Sequence, residues 1–201
     1  MTGKFIVLEG GDAVGKSTQG KEIAARLRER GYEVVETFEP GATHFGARLR
    51  ELLMGDGPMS PLAEALLMAA DRADHVATVI KPALARGAWV VSDRFLPSSL
   101  VYQGVGRALG LETVSEINKS AVDGLVPDLV VVLDLDSQDA RGRRDLDSDR
   151  FETAGDEFAA QVVAAYRDLA PSMGWKIVDA SGSPEEVSSS LWGLVVESLS
   201  P

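Results

Sequence analysis

Phe5-Ile-Val-Leu-Glu9-Gly10-Gly-Asp-Ala-Val-Gly15-Lys16-Ser17-Thr18 is the stretch that decides the fold of this chain. Phe5 to Glu9 is an apolar run of strand length, and Gly10 to Ser17 matches the pattern GxxxxGK[ST]. In that pattern the backbone N–H groups of a glycine-rich turn, together with the N-terminus of the next helix, cradle phosphate groups. Gly10, Gly11 and Gly15 allow close backbone approach, Lys16 reaches the β- and γ-phosphates as a point charge, and the Ser17 hydroxyl ligates the magnesium ion that bridges them. Asp12, Ala13 and Val14 complete the loop, and Thr18 extends the first helical turn. A strand before the motif and a helix after it are the setting that separates a phosphate site from a chance match.

Outward from this stretch, apolar runs of strand length alternate with helical stretches, without an internal repeat or a long linker. That rhythm predicts a parallel sheet covered by helices. Glu33 to Thr37, Ala88 to Asp93, Asp128 to Leu135 and Trp175 to Val178 supply the further strands, the third and fourth being continuous apolar or β-branched runs. Helices are expected from Lys16 to Arg30, stopped by Gly31, then over Phe45 to Met54, Pro61 to Arg86 and Glu157 to Leu169. Pro82 should bend the third of these near its end. Residues 139–156 are charged and poor in apolar anchors, which predicts a mobile lid.

The chain has 201 residues, a length suited to one domain, with 45% apolar and 25% charged residues and a formal net charge of −11. A surface rich in carboxylates repels the phosphate backbone of DNA or RNA, so a polymeric nucleic acid is an unsuitable partner. Cysteine is absent, which excludes disulfides and thiolate chemistry, and His44 and His75 lack the spacing of a zinc pair. No run approaches the roughly 20 apolar residues that span a bilayer, and no signal-peptide pattern precedes Phe5. No membrane association and a cytoplasmic location are therefore expected. The arginines cluster locally, at Arg48 and Arg50, at Arg94, and at Arg141, Arg143 and Arg144, which suits a small polyanion.

A phosphate loop alone does not separate a kinase from a GTPase switch. A second anion site does, and Asp93-Arg94 stands directly after a predicted strand, at the sheet edge where doubly wound folds bind ligands. Asp93 is placed to hold magnesium or its waters, and Arg94 to grip a second phosphate. With this pair the chain resembles the bacterial thymidylate kinases from about residue 5 to residue 180. The ordered motifs are the phosphate loop, Glu39-Pro-Gly-Ala-Thr43, Ala70-Asp-Arg72, Asp93-Arg94-Phe95, Tyr102-Gln103-Gly104, Pro127-Asp128 and Asp149-Arg150-Phe151-Glu152.

The resemblance implies a three-layer P-loop NTPase fold of the α/β class, with a five-stranded parallel sheet flanked by helices. It implies transfer of the γ-phosphoryl group of ATP to dTMP with Mg2+, by a homodimer. Asp12 matches the carboxylate near the sugar of the monophosphate, and Arg50 and Arg94 match the arginines that hold its phosphate. Glu39 opens the EPGAT motif in the substrate-binding set. Arg72 matches the arginine that reads a thymine carbonyl, Gln103 the residue bonded to the base edge, Ser99 a neighbouring polar contact, and Tyr102 the aromatic wall beside the deoxyribose.

Two positions depart from the family pattern. Met68 stands where many relatives stack a phenylalanine on thymine, and Phe38 precedes Glu39 where bacterial relatives often carry arginine. Position 13 is alanine, so the phosphate loop supplies no catalytic arginine, and Arg143 or Arg144 in the predicted lid takes that role on the family pattern. A regulatory GTPase is the rival from another class. It needs NKxD, but Asn118-Lys119 is followed by Ser120 and Ala121; it needs DxxG, but Asp93 is followed by Arg, Phe and Leu. A non-catalytic nucleotide-binding module leaves the second phosphate site without a purpose, and another nucleoside monophosphate kinase is the nearer alternative.

Overall fold

The computed structural model describes residues 3–55, 57–141 and 155–201. Five strands form one sheet: β1 (Phe5–Glu9), β2 (Val34–Phe38), β3 (Trp89–Asp93), β4 (Leu129–Asp134) and β5 (Lys176–Asp179). Their order is β2-β3-β1-β4-β5, and every pairing is parallel. β1 is the central strand because both of its faces are covered, and Phe5, Ile6, Val7 and Leu8 are each 0% exposed. Burying side chains of this size contributes about 1.5–3 kcal/mol apiece.

The period-2 alternation of β1 divides the core between two faces. Ile6 and Leu8 pack with Ile23 and Leu27 of α1 (Lys16–Glu29) and with Leu191 and Val195 of α9 (Pro184–Leu199). Phe5 and Val7 pack on the opposite side with Val76, Ile80 and Phe95. A third cluster joins Val101, Tyr102 and Val132 to Val162 and Tyr166 of α8 (Asp156–Met173).

The element boundaries follow local chemistry. α1 stops as expected at Gly31, whose φ of 86° suits glycine, with Tyr32 N–H donating to the Leu27 carbonyl at 3.2 Å and Gly31 N–H to that of Arg28 at 2.9 Å. α2 (His44–Met54) begins where Thr43 accepts from the Gly46 N–H, and α3 (Pro61–His75) begins at Ser60, which accepts from the Ala63 N–H. The predicted helix over 61–86 divides into α3, a π-helical turn at Val76–Ile80, and α4 (Lys81–Ala85). The widened turn ends two residues before Pro82, which lacks an N–H and crowds the preceding turn.

A second π-helical turn, Leu100–Gly106, follows the short α5 (Leu96–Ser99) and precedes α6 (Leu111–Val122). β2 runs one residue later than predicted, and α8 continues past Leu169 to Met173. Asp139 and Ala140, placed at the start of the predicted lid, belong to α7 (Ser137–Arg141). Most of that predicted segment, 142–154, lies outside the described residues, and with it Arg143, Arg144 and Asp149 to Glu152. Among the described residues no helix is long and apolar enough to cross a membrane.

Candidate active site

The phosphate loop joins β1 to α1 at the carboxyl edge of the sheet. Gly10 has φ 130°, and a Cβ there would stand 2.5 Å from the Leu133 carbonyl oxygen, so both its conformation and its packing need glycine. Ala13 holds the left-handed conformation at φ 60°, and Gly15 at φ 98° precedes the first turn of α1. Strain of that kind is found where a loop is shaped around a ligand. The Lys16 ammonium donates to the Gly11 carbonyl at 2.5 Å. Burial, and then the nearby Arg94 cation, lower its pKa to about 8 against the pull of Asp93, Asp12 and Glu9.

Arg94, at φ 71°, is the hub that ties this loop to a second site. Its Nη1 donates to the Gly10 carbonyl at 3.1 Å and to Ser98 Oγ at 3.0 Å. Its Nη2 donates to Asp12 Oδ1 and, at 3.1 Å, to the Tyr102 hydroxyl. Burial works against the Arg94 charge, yet Tyr102 and Asp12 outweigh it and raise its pKa. Burial likewise disfavours the Asp12 carboxylate, but Arg94 and Lys16 more than compensate and lower its pKa.

Beneath this hub Glu9 is fully buried and accepts from the Phe95 N–H at 2.9 Å, Ser98 Oγ at 2.6 Å and the Tyr166 hydroxyl at 2.7 Å. Burial raises its pKa, with Arg94 and these donors opposing. Glu9 and Ser98 thus hold the turn that carries Arg94. Sequence reasoning passed over both, since Glu9 reads as the end of an apolar strand.

One cavity collects Asp12, Glu39, Arg50, Met68, Arg94, Tyr102 and Gln103, with Pro40, Met54 and Ser98. An adjoining cleft runs from Asp12 and Arg94 past Lys16, Ser17 and Asp93 to Phe38 and Arg50. Seven residues of the expected monophosphate site therefore meet in one place. Arg50 is exposed there, donates to the Pro40 carbonyl at 2.9 Å, and has no carboxylate partner among the described residues. Phe38 is 44% exposed and lines the cleft.

Arg72 and Ser99 do not line the cavity. Arg72 is 0% exposed, and its guanidinium donates to Glu39 Oε2 at 2.9 Å, Ser99 Oγ at 3.0 Å, the Phe95 carbonyl at 3.0 Å and Asn118 Oδ1. His75 Nδ1 meets the other Glu39 oxygen at 2.9 Å. Asp71 accepts from the Gly41 N–H at 2.9 Å, which fastens the EPGAT turn to α3. Burial, reinforced by the Glu39 charge, raises the Asp71 pKa to about 6. Glu39 is thus an inner support as well as a wall, and Asn118 reaches the same network from α6.

On the far side of the phosphate loop, Gly15 to Gln19 face Ala180, Gly182, Ser183, Pro184 and Val187 across a further cleft. Gln19 Nε2 donates to the Pro184 carbonyl at 2.9 Å. Sequence reasoning placed no helix here, although Ser183-Pro-Glu-Glu186 forms a complete capping box at the start of α9. Gly11, Asp12, Val14 and Tyr102 also border a small hollow with Ser137, Ala140 and Phe158, so α7 and α8 reach the loop.

A divalent cation needs hard oxygen ligands, and Ser17 Oγ lies 2.5 Å from Asp93 Oδ2 beside Lys16. Among the described residues no three acidic or imidazole groups gather as an all-protein cage. One hydroxyl with one carboxylate fits Mg2+ that takes its remaining ligands from phosphates and water.

A phosphate loop beside a second, arginine-lined pocket at the edge of a parallel sheet defines a P-loop nucleotide kinase. The thymidylate kinase family model matches residues 8–191. The chain is 48% identical over 193 residues to the thymidylate kinase of Synechococcus sp. (strain JA-3-3Ab), covering 95% of this chain and 94% of that protein. It is 49% identical over 196 residues to the thymidylate kinase of Leifsonia xyli subsp. xyli, covering 94% and 92%, and 44% identical over 199 residues to that of Rhizorhabdus wittichii, covering 95% and 96%. The chain belongs to the thymidylate kinase family.

Proposed function

We infer that this chain is a dTMP kinase, which moves the γ-phosphoryl group of ATP to dTMP and yields dTDP and ADP. The observation that carries the reading is Arg94: one guanidinium bonds the phosphate loop at Gly10 and Asp12 while it lines the neighbouring cavity. Donor and acceptor phosphates are thereby brought to one positive group.

The acceptor is a phosphate monoester, largely dianionic at neutral pH, so no side chain has to remove a proton before attack. An oxygen of dTMP attacks the γ-phosphorus as the bond to the ADP oxygen breaks, and the protein supplies position and charge. Gly10 to Thr18 hold the ATP phosphates by backbone N–H groups and Lys16. Arg50 and Arg94 hold the dTMP phosphate, and Asp12 with Tyr102 sits against the sugar. Met68 covers the base, and Gln103 with the Arg72–Ser99 group behind it sets the base edge. Ser17 and Asp93 would hold Mg2+, which when bound would supply charge neutralisation at the phosphates.

Arg143 and Arg144, on the family pattern, bring the transition-state charge from a lid near 139–156 within a single domain over 1–201. A homodimer fits the half-exposed Leu62 and Leu66, one turn apart on α3, with Leu52 of α2. A cytoplasmic place fits a substrate pair of free nucleotides.

The reading is tested by incubating the protein with ATP and Mg2+ against dTMP, dUMP, CMP, AMP and GMP separately. dTMP should be used best, ahead of dUMP by only the roughly 1–3 kcal/mol that one methyl group is worth in an apolar pocket. Preference for any purine monophosphate overturns it.

A further inference from the structure

Gln103 is 1% exposed and uses half of its amide. Its Nε2 donates to Glu64 Oε1 at 3.0 Å, whereas its buried Oε1 has no hydrogen-bond partner among the described residues. The orientation has a chemical cause, since a carboxylate oxygen accepts and does not donate, so the NH2 side must face Glu64. The Arg107 guanidinium comes within 3.3 Å of the same Glu64 oxygen, and the Glu64 side chain is 2% exposed. Glu64 lies one helical turn before Met68 on α3, and it stands behind Gln103, which lines the same cavity as Met68.

We propose that Glu64 is a specificity-determining residue: by holding the Gln103 amide in one orientation, it makes the cavity accept bases that carry an N3–H and refuse those whose N3 is a bare lone pair. A glutamine alone reads either pattern, because its amide can turn over. The choice therefore resides in its acceptor-only neighbour. A thymine or uracil ring satisfies the orphaned Oε1 with its N3–H. A cytosine-type ring brings a second acceptor, leaving two buried lone pairs face to face, and sites built to hydrogen-bond a substrate group reject analogues that lack it strongly. The inference rests on reading this cavity as the dTMP pocket.

The probe pair is dTMP and 5-methyl-dCMP, which share methyl group, sugar and phosphate and differ at N3 and at the group on C4. The wild-type protein should prefer dTMP by about 10³-fold or more in kcat/KM. Glu64→Gln places a group that donates as well as accepts against Gln103, lets the amide turn, and should narrow the preference by about tenfold or more. Glu64→Asp keeps an acceptor-only partner and should leave the ratio within about threefold of wild type, whatever happens to absolute activity. In a Gln103→Leu background, Glu64→Gln should no longer move the ratio. Should Glu64→Gln fail to fold, Glu64→Asp against Glu64→Asn makes the same comparison one methylene shorter.

An unchanged ratio in Glu64→Gln, with both substrates falling together, would mean that Glu64 only braces the π-helical turn, and overturns the proposal. A wild-type protein inactive on dTMP would overturn the pocket assignment itself, an outcome visible before any variant is made.

Discussion

The cavity under Arg94 and the cleft beyond Gly15 share one phosphate loop and are built on different plans. Behind the first stand Glu9, Glu39, Arg72 and Gln103, polar side chains no more than 3% exposed and bonded to one another's elements. The second is faced by the phosphate loop, the first turns of α1 and α9 and the segment before α9, with a side-chain bond across it from Gln19 to the Pro184 carbonyl. Selecting among monophosphates requires fixed interior groups whose partners cannot be replaced by water. Gripping a triphosphate requires backbone N–H groups and one cation, and is indifferent to much of the rest.

Lys16→Ala strikes what the two sides share. It should lower kcat by more than about 10³-fold, in a protein whose melting temperature is nearly unchanged, since the ammonium contacts loop carbonyls rather than core. A folded variant with near-normal turnover would break the assignment of both sides. The Arg143→Ala, Arg144→Ala double variant tests the expectation that these arginines act in the transition state. It should lose about 10³-fold in kcat while affinity for dTMP by direct titration changes less than about threefold. Weak binding with normal single-turnover transfer would turn these arginines into substrate clamps.

Arg72→Ala tests the interior plan alone. It leaves the buried Glu39 carboxylate with His75 but without its guanidinium, and should destabilise the fold by about 3–5 kcal/mol on a urea melt. kcat/KM for dTMP should fall with it, and an unchanged value would move the base pocket elsewhere. The smallest effect is a pH dependence. Lys16 is cationic in the free protein below about 8, so kcat/KM for ATP should decline about tenfold per pH unit above that value. In Lys16→Arg the decline should vanish, because arginine stays protonated.

The same contrast explains which features are legible in the amino-acid sequence. The phosphate loop lies in one continuous stretch, and its glycines, lysine and serine each have a local reason, so the first strand and first helix were legible residue by residue. The cavity under Arg94 is assembled from the phosphate loop, the Glu39 turn, α2, α3, the turn after β3 and the second π-helical turn, and only the family pattern linked those segments. Glu9, Glu64 and Asn118 stayed invisible because each looks ordinary in its own element. Their importance comes from a partner 89, 39 or 46 positions away. Arg72 was expected to read the base on the family pattern, whereas the structure buries it in the network behind Glu39; that burial was not legible, because a charged residue on a helix is ordinarily solvated. The capping box at Ser183 was open to sequence reading and went unused.

The widened turn at Leu100–Gly106 gives Tyr102 and Gln103, neighbours in the chain, to the same cavity. A π-helical turn holds one residue more than the α-helical ladder requires, as though a single amino acid had been inserted with both flanks kept in place. Chain length here is therefore a determinant of chemistry in its own right. Deleting Gly106 would leave every cavity-lining side chain in the protein, yet rotate Tyr102 and Gln103 by about 100° relative to α6. A substitution scan would score such a segment as tolerant wherever side chains are dispensable, and only a deletion scan would find the constraint.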